Sequence, residues 1–277
     1  MQHVHITAEH RLLDLRLREL WQYRDLIWLF TRRSFVVTYK QTILGPLWLI
    51  LNPLLTSLMH VVLFGNIARL STDGLPQLLF YLCGNAMWGF FSSCLTQNAS
   101  TFLSNAHLFG KVYFPRLVIP AANILGNFLR FCIQMGLVLL LLLWYLFQGS
   151  VRPNWIFWPL LPLVLLQLGL LGAGFGIILS SLTTKYRDLH VLVSFGVSIW
   201  MYATPVVYPL SSVNGPLRSL LLLNPVSAPM ELFRYAVLGA GTVTLPFLGL
   251  SWAITLAVTF FGVVIFSKVE RTFMDTV

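Results

Sequence analysis

The chain has 277 residues, 57% of them hydrophobic and only 10% charged, with a mean hydropathy of +0.78. Soluble domains carry about 25% charged residues, so this composition belongs to a membrane protein and excludes most soluble enzymes. The net charge of +9 does not argue for nucleic acid, because the positive residues sit at the ends of apolar runs and not together on one polar face.

The longest polar segment, 1–40, comes first. Residues 12–30 read as an amphipathic helix lying at a membrane interface. Asp14, Arg18, Gln22 and Asp25 share one face, while Leu13, Leu17, Leu20, Trp21 and Trp28 gather elsewhere. Asp14 and Arg18 also form an i,i+4 pair. The first 25 residues hold eight charges and no apolar core of the signal-peptide kind, so no cleaved leader is expected. Arg32, Arg33 and Lys40 carry the basic character up to the first span, where such residues either anchor the chain or meet lipid phosphate.

Uncharged runs follow at 41–68, 74–110, 153–184, 189–217 and 235–267, each longer than the ~20 residues that cross a ~30 Å hydrocarbon core. A further run, 117–147, is interrupted only by Arg130, a costly residue in mid-span unless paired or hydrated. The expectation is an all-α membrane protein of one domain with six transmembrane helices, at 43–67, 77–103, 117–147, 155–181, 191–208 and 244–267. The first contains Gly45, Pro46, Asn52 and Pro53, and a helix broken in that way packs against protein or lines a cavity. Residues 104–116, with Lys111, Arg116, Gly110 and Pro115, read as a compact cytoplasmic helix. In the fourth span Gly172-x-x-x-Gly176 allows another helix to approach closely. Neither it nor Gly84-x-x-x-x-Gly89 continues into the lysine of a phosphate-binding loop, so no ATP site is found. Pro209, Gly215, Pro216, Pro225 and Pro229 divide 209–238 into apolar pieces too short to span. These read as short re-entrant helices on the outer side, with Glu231 and Arg234 at the i,i+3 spacing of an ion pair.

With the N-terminus cytoplasmic, thirteen of the eighteen Lys and Arg lie inside and only Arg69, Arg152, Arg218 and Arg234 outside, with Arg130 in the membrane. That bias gives both termini a cytoplasmic position. Cys83, Cys94 and Cys132 lie in apolar runs and read as small buried hydrophobes. His3, His5, His10, His60, His107 and His190 have no partner at metal-ligand spacing. Of nine acidic residues four precede Leu26, so no catalytic carboxylate pair or Ser-His-Asp set is arguable.

Five sequence blocks occur in order: Glu19-Leu-Trp-Gln-Tyr-Arg-Asp25, Tyr39-Lys-Gln-Thr-Ile-Leu-Gly-Pro-Leu-Trp48, Lys185-Tyr-Arg-Asp188, Thr204-Pro-Val-Val-Tyr208, and Asn224-Pro225 leading to Phe233-Arg234. Together with the span pattern they make the chain resemble, over nearly its whole length, the permease subunits of type-2 ABC exporters of cell-surface polysaccharide, the Wzm-type O-antigen export permeases in particular. The resemblance implies a homodimer enclosing a channel in a bacterial inner membrane. It further implies two separate Wzt-like ATP-binding subunits on the cytoplasmic side, which would use ATP and Mg, with no cofactor in this chain. The cargo implied is polysaccharide on undecaprenyl diphosphate. The docking surface maps onto 12–30 and 104–116, with Asn105, His107, Lys111, Tyr113 and Arg116 as its candidates.

Arg32, Arg33 and Lys40 are candidates for the lipid diphosphate, since phosphate needs charge-assisted donors near headgroup depth. A sliding polymer needs flat surfaces that grip without register, and aromatic faces supply them. Trp48, Trp88, Phe90, Phe91, Trp200, Tyr202 and Tyr208 are the candidates, with packing in the core or at the interface as the alternative for each. Rival readings are a type-2 permease for capsular polymer, teichoic acid or a small hydrophobic cargo, a membrane-embedded transferase, and a structural scaffold. A transferase needs carboxylates or histidines gathered at one face, and the outer loops offer only Asp73 and Glu231. A scaffold has no use for interrupted helices.

Overall fold

The structure, a computed structural model, describes residues 17–40, 42–109, 114–183 and 188–276, which form helices joined by short turns, with no strand among them. A turn at Tyr23 separates α1 (Leu17–Gln22) from α2 (Arg24–Tyr39). α2 runs well past residue 30 because neither Gly nor Pro occurs before Gly45. The apolar residues of α1, the Tyr23 turn and α2 split into two sets. Leu20, Tyr23, Leu26, Ile27 and Phe30 pack on a cluster built around Phe102, Phe114, Val118 and Phe266. Trp21 and Trp28 stay exposed, as anchors in a membrane surface do.

The first expected span is three helical forms in series: a 3-10 turn at Gly45–Leu47, α3 (Trp48–His60) and a π-helical stretch at Val61–Ile67. Pro53 lies inside α3 and removes the hydrogen bond that the Leu49 carbonyl would accept. α4 (Gln77–Ala99) stops at Ser100, whose hydroxyl bonds the Gln97 carbonyl at 3.1 Å and competes with the helical ladder. The short α5 (Thr101–Phe109) follows, so residues 101–103 belong to it and not to the second span. α6 (Val118–Phe147) and, after a 3-10 turn at Trp155–Leu160, α7 (Leu161–Thr183) follow their expected limits closely.

The fifth expected span, 191–208, differs. α8 (Leu189–Tyr202) has 14 residues, about 21 Å at 1.5 Å per residue. It ends where Pro205 can no longer donate to the preceding turn and disfavours helical Thr204. The Pro-broken segment gives α9 (Pro216–Leu223) and α10 (Ser227–Leu238), with Pro216 at the first helical position and Gly239 closing α10 at φ +82°. α11 (Leu245–Thr276) completes the described chain. Among the described residues five helical stretches, Gly45–Ile67, Gln77–Ala99, Val118–Phe147, Trp155–Thr183 and Leu245–Lys268, are long and apolar enough to cross a membrane, and α8 falls short of that length.

α4 and α7 are the centre of the bundle, with 78% and 61% of their most apolar stretches buried against 17% for the other three. Glycine makes their contact close. A Cβ at Gly176 would lie 2.5 Å from the Leu95 carbonyl oxygen, and one at Gly172 would lie 2.8 Å from that of Phe91. On the opposite side of α7 a Cβ at Gly174 would meet the Thr259 backbone of α11 at 3.1 Å. α7 thus presents backbone to both neighbours, the approach expected of a small-xxx-small helix.

Three turns meet at one end of the bundle. Ser211 donates to the Asp73 carboxylate at 2.7 Å, Asn154 donates its amide side chain to the Tyr235 carbonyl at 3.1 Å, and Trp158 Nε1 donates to the Ala236 carbonyl at 3.0 Å. The opposite end holds the aromatic cluster of Phe102, Phe114 and Phe266 under α2.

Candidate functional site

A polar groove of about 680 Å³ lies between α3, α4 and α6, with Thr38, Tyr39 and Thr42 also in its lining. Each helix contributes one face at helical spacing: Trp48, Asn52 and Thr56 from α3; Asn85, Trp88, Gly89, Ser93 and Gln97 from α4; Arg130 and Gln134 from α6. Leu49 and Pro53 also line it, so the proline-interrupted turn of α3 forms part of the cavity wall. Broken helix in a membrane is tolerated in that position.

A ladder of amides fixes the α4–α6 wall. Gln97 and Asn127 exchange two bonds of 3.2 Å, Asn123 donates to Asn98 at 3.0 Å, and Arg130 Nη1 donates to Asn127 Oδ1 at 2.8 Å. Neither this ladder nor the polar stripe on α4 stands out in the sequence. The signal was present as uncharged polar residues at three- and four-residue spacing through 85–97, hidden because such residues leave hydropathy high.

A second groove, about 620 Å³, lies at the end where the turns meet and is lined by Trp200, Tyr202, Tyr208, Asn224 and leucines of α9. Asn224 organises it. Its amide donates to the Ala203 carbonyl at 2.8 Å and to Thr204 Oγ1 at 2.9 Å, while its Oδ1 accepts from Val226 N–H at 3.1 Å and Trp200 Nε1 at 3.3 Å. Tyr208 returns its hydroxyl to the Tyr202 carbonyl at 2.9 Å. Next to it Pro225 offers its carbonyl to Ser251 at 2.6 Å, and Ser251 accepts from Gln167 at 2.7 Å. The Asn-Pro pair is therefore tied to α7, α8 and α11 together.

Of the aromatic candidates, Trp48 and Trp88 line the first groove and Trp200, Tyr202 and Tyr208 the second. Phe90 and Phe91 do not reach either. They are buried in the chain's own core, Phe90 against Phe131 at 5.6 Å and Phe91 against Trp200 at 5.3 Å. At about 100° per residue Phe90 points away from Trp88, whereas Phe91, nearly one turn on, stays beside the Trp88 ring at 5.3 Å and is fully buried there. Trp88 of the first groove and Trp200 of the second stand edge to face at 6.5 Å.

The basic candidates separate. Arg32, Arg33 and Lys40 are all exposed on α2 or at its end, and Arg33 alone lines a smaller cavity of about 280 Å³ with Ser34, Asn105 and Asn123. That cavity shares Thr38 with the first groove. Among the docking candidates, Asn105 caps back onto the Thr101 carbonyl at 3.0 Å, and Arg116 is half-buried in the turn before α6. The His107 side chain, Lys111 and Tyr113 lie outside the described residues.

Glu231 and Arg234 are 1% and 3% exposed, with Arg234 Nη1 3.3 Å from Glu231 Oε1. Arg234 Nη2 also donates to the Val206 carbonyl at 2.6 Å, and Glu231 Oε2 accepts the Thr242 N–H at 2.8 Å. The guanidinium lies 4.1 Å over the Phe80 ring. Gly84 makes room for this, since a Cβ there would be 2.6 Å from the Val206 oxygen. Among the described residues no group of His, Cys, Asp and Glu could hold a metal ion.

The family model described as "ABC-2 type transporter" matches residues 25–238, which takes in α2, both grooves and the buried ion pair. An O-antigen export system permease protein RfbA of Klebsiella pneumoniae is 27% identical over 253 residues, 91% of this chain and 94% of that protein. A protein of the same name from Myxococcus xanthus is 33% identical over 221 residues, 78% of this chain and 82% of its own length. The polysialic acid transport protein KpsM of Escherichia coli is 24% identical over 239 residues, covering 84% and 89%. With the family match running through most of its helices, the chain belongs to the ABC-2 type transporter family of membrane proteins.

Proposed function

We propose that this chain is the channel-forming permease of a polysaccharide exporter, carrying an O-antigen-type polymer on a diphosphate lipid out of the cytoplasm. A separate ATP-binding subunit supplies the energy. The observation that carries this reading is the similarity to O-antigen export permeases along nine-tenths of the chain. The first groove supports it: indole faces at Trp48 and Trp88 among uncharged hydroxyl and amide groups suit sugars, which present apolar faces edged with hydroxyls.

In this reading the chain makes six crossings, α8 with its flanking residues being the fifth, and α9 and α10 dip into the membrane from the outer side. Both termini are cytoplasmic, in the inner membrane. Two copies enclose the channel, and two ATPase subunits dock on α5, the following turn and the N-terminal helices. Trp48, Trp88, Trp200, Tyr202 and Tyr208 line the path, and Arg32, Arg33 and Lys40 meet the lipid diphosphate at its entrance. Co-expression with an ATPase encoded beside it, in lipid, tests the core of the proposal. A complex of two plus two subunits that hydrolyses ATP and moves lipid-linked polymer is the expected result. A chain that purifies alone, binds no ATPase and leaves polymer export unchanged when deleted would overturn it.

A further inference from the structure

We infer that Arg130 is a second, deeper anion station, holding the diphosphate of the cargo inside the first groove; the inference rests on the permease reading above. Arg130 lies twelve residues into α6, about 18 Å along the helix axis, within the part of the bundle that a ~30 Å hydrocarbon core would cover. A charge at that depth marks a transport path or a bound partner as its default reading. Among the described residues no carboxylate partners it. Among the described residues the buried ion pair is Glu231–Arg234, and Arg130 makes one hydrogen bond, to the neutral Asn127. Its Nε is buried with no acceptor.

The surroundings hold the guanidinium without neutralising it. Asn127 is fixed by its two bonds to Gln97 on α4, so the Arg130 fork is oriented by a neighbour that carries no charge. Apart from the aromatic and apolar residues, the rest of the described wall is Thr, Asn, Gln and Ser, and among the described residues neither Asp nor Glu lines the groove. A cation among neutral donors, in a cavity of about 680 Å³, selects an anion with several acceptor oxygens. The planar guanidinium matches phosphate oxygens two at a time. The cavity lined by Arg33 and this groove share Thr38 in their walls, so a cation at the surface and Arg130 stand at neighbouring cavities.

The test uses the complete transporter, permease and ATPase in nanodiscs without nucleotide, with undecaprenyl diphosphate and inorganic pyrophosphate as probes and undecaprenol as control. R130Q keeps a donor for Asn127 and removes the charge. It is expected to bind undecaprenyl diphosphate about tenfold or more weakly, the scale of one charge-assisted hydrogen bond. R130K is expected to fall between the two, and undecaprenol binding should not change. A matching loss for inorganic pyrophosphate identifies phosphate itself as the recognised group, and a loss confined to the lipid identifies the lipid headgroup. Where R130Q fails to fold, Q134E carries the test: a carboxylate one turn from Arg130 on the groove wall neutralises it and weakens diphosphate binding likewise. Parental affinity for both diphosphates in R130Q or Q134E overturns the inference. Loss of complex formation or export in the parent would sink the permease reading instead, so the two failures are distinct.

Discussion

With 3% and 1% of their surfaces exposed, Arg234 and Glu231 leave water together, and desolvation alone would make that unfavourable. What offsets it is the number of oxygens and N–H groups brought to them: Val206 O from the loop after α8 and Thr242 N–H from the approach to α11. The pair therefore ties α10 to the loop after α8 and to the segment leading into α11. Removing one member strands the other. Glu231→Ala should cost about 3–5 kcal/mol and lower the thermal unfolding midpoint in detergent by more than the double variant with Arg234→Met does. A double variant no more stable than the single one would show that the charges are not acting on each other.

At the scale of elements, the same residue type does opposite things on α4 and α7. Gly172 and Gly176 are spaces that another backbone fills, whereas a Cβ at Gly89 on α4 would meet nothing within 4 Å and would project from a groove wall. Gly176→Val should force α4 and α7 apart, costing about 1–3 kcal/mol or more as overpacking does, and is expected to reduce the yield of folded protein. Gly89→Leu should leave the unfolding midpoint near that of the parent but narrow the groove. Export of long polymer by Gly89→Leu is expected to fall at least several-fold, measured as surface polymer at matched protein level. Parental export would remove this face of α4 from the path.

For the molecule as a whole, the turns after Gly45–Ile67 and α6 meet the segment around α9 and α10 at one end, and the α2–α5 cluster sits at the other. Phe266 of α11 packs in the same cluster as α2, an arrangement compatible with the proposed six crossings. In a chain freed of its native cysteines, Ser150→Cys should react with a membrane-impermeant maleimide added to spheroplasts, and Ser104→Cys only after lysis. Both serines are exposed. The reverse pattern would invert the orientation, and labelling of both from outside would break the crossing count.

Much of this plan is written along the chain itself. Apolar runs of fixed length, punctuated by charge, identify membrane helices because hydrocarbon imposes a length and excludes unpaired charge whatever the neighbours are. Pro205, Pro216, Pro225 and Gly239 mark ends of α8 to α10 for equally local reasons. The ion-pair spacing of Glu231 and Arg234 is likewise a property of one helix. Other features depend on what lies across a groove. Phe90 and Phe91 turn into the core while Trp88 faces a cavity, a distinction set by which neighbour each heading meets. α8 is shorter than its apolar run, since hydropathy does not register where a proline ends the ladder. Gln97, Asn127 and Arg130 come from two helices, and only their packing turns three separate polar residues into one oriented cation in a groove with no carboxylate among its described lining residues.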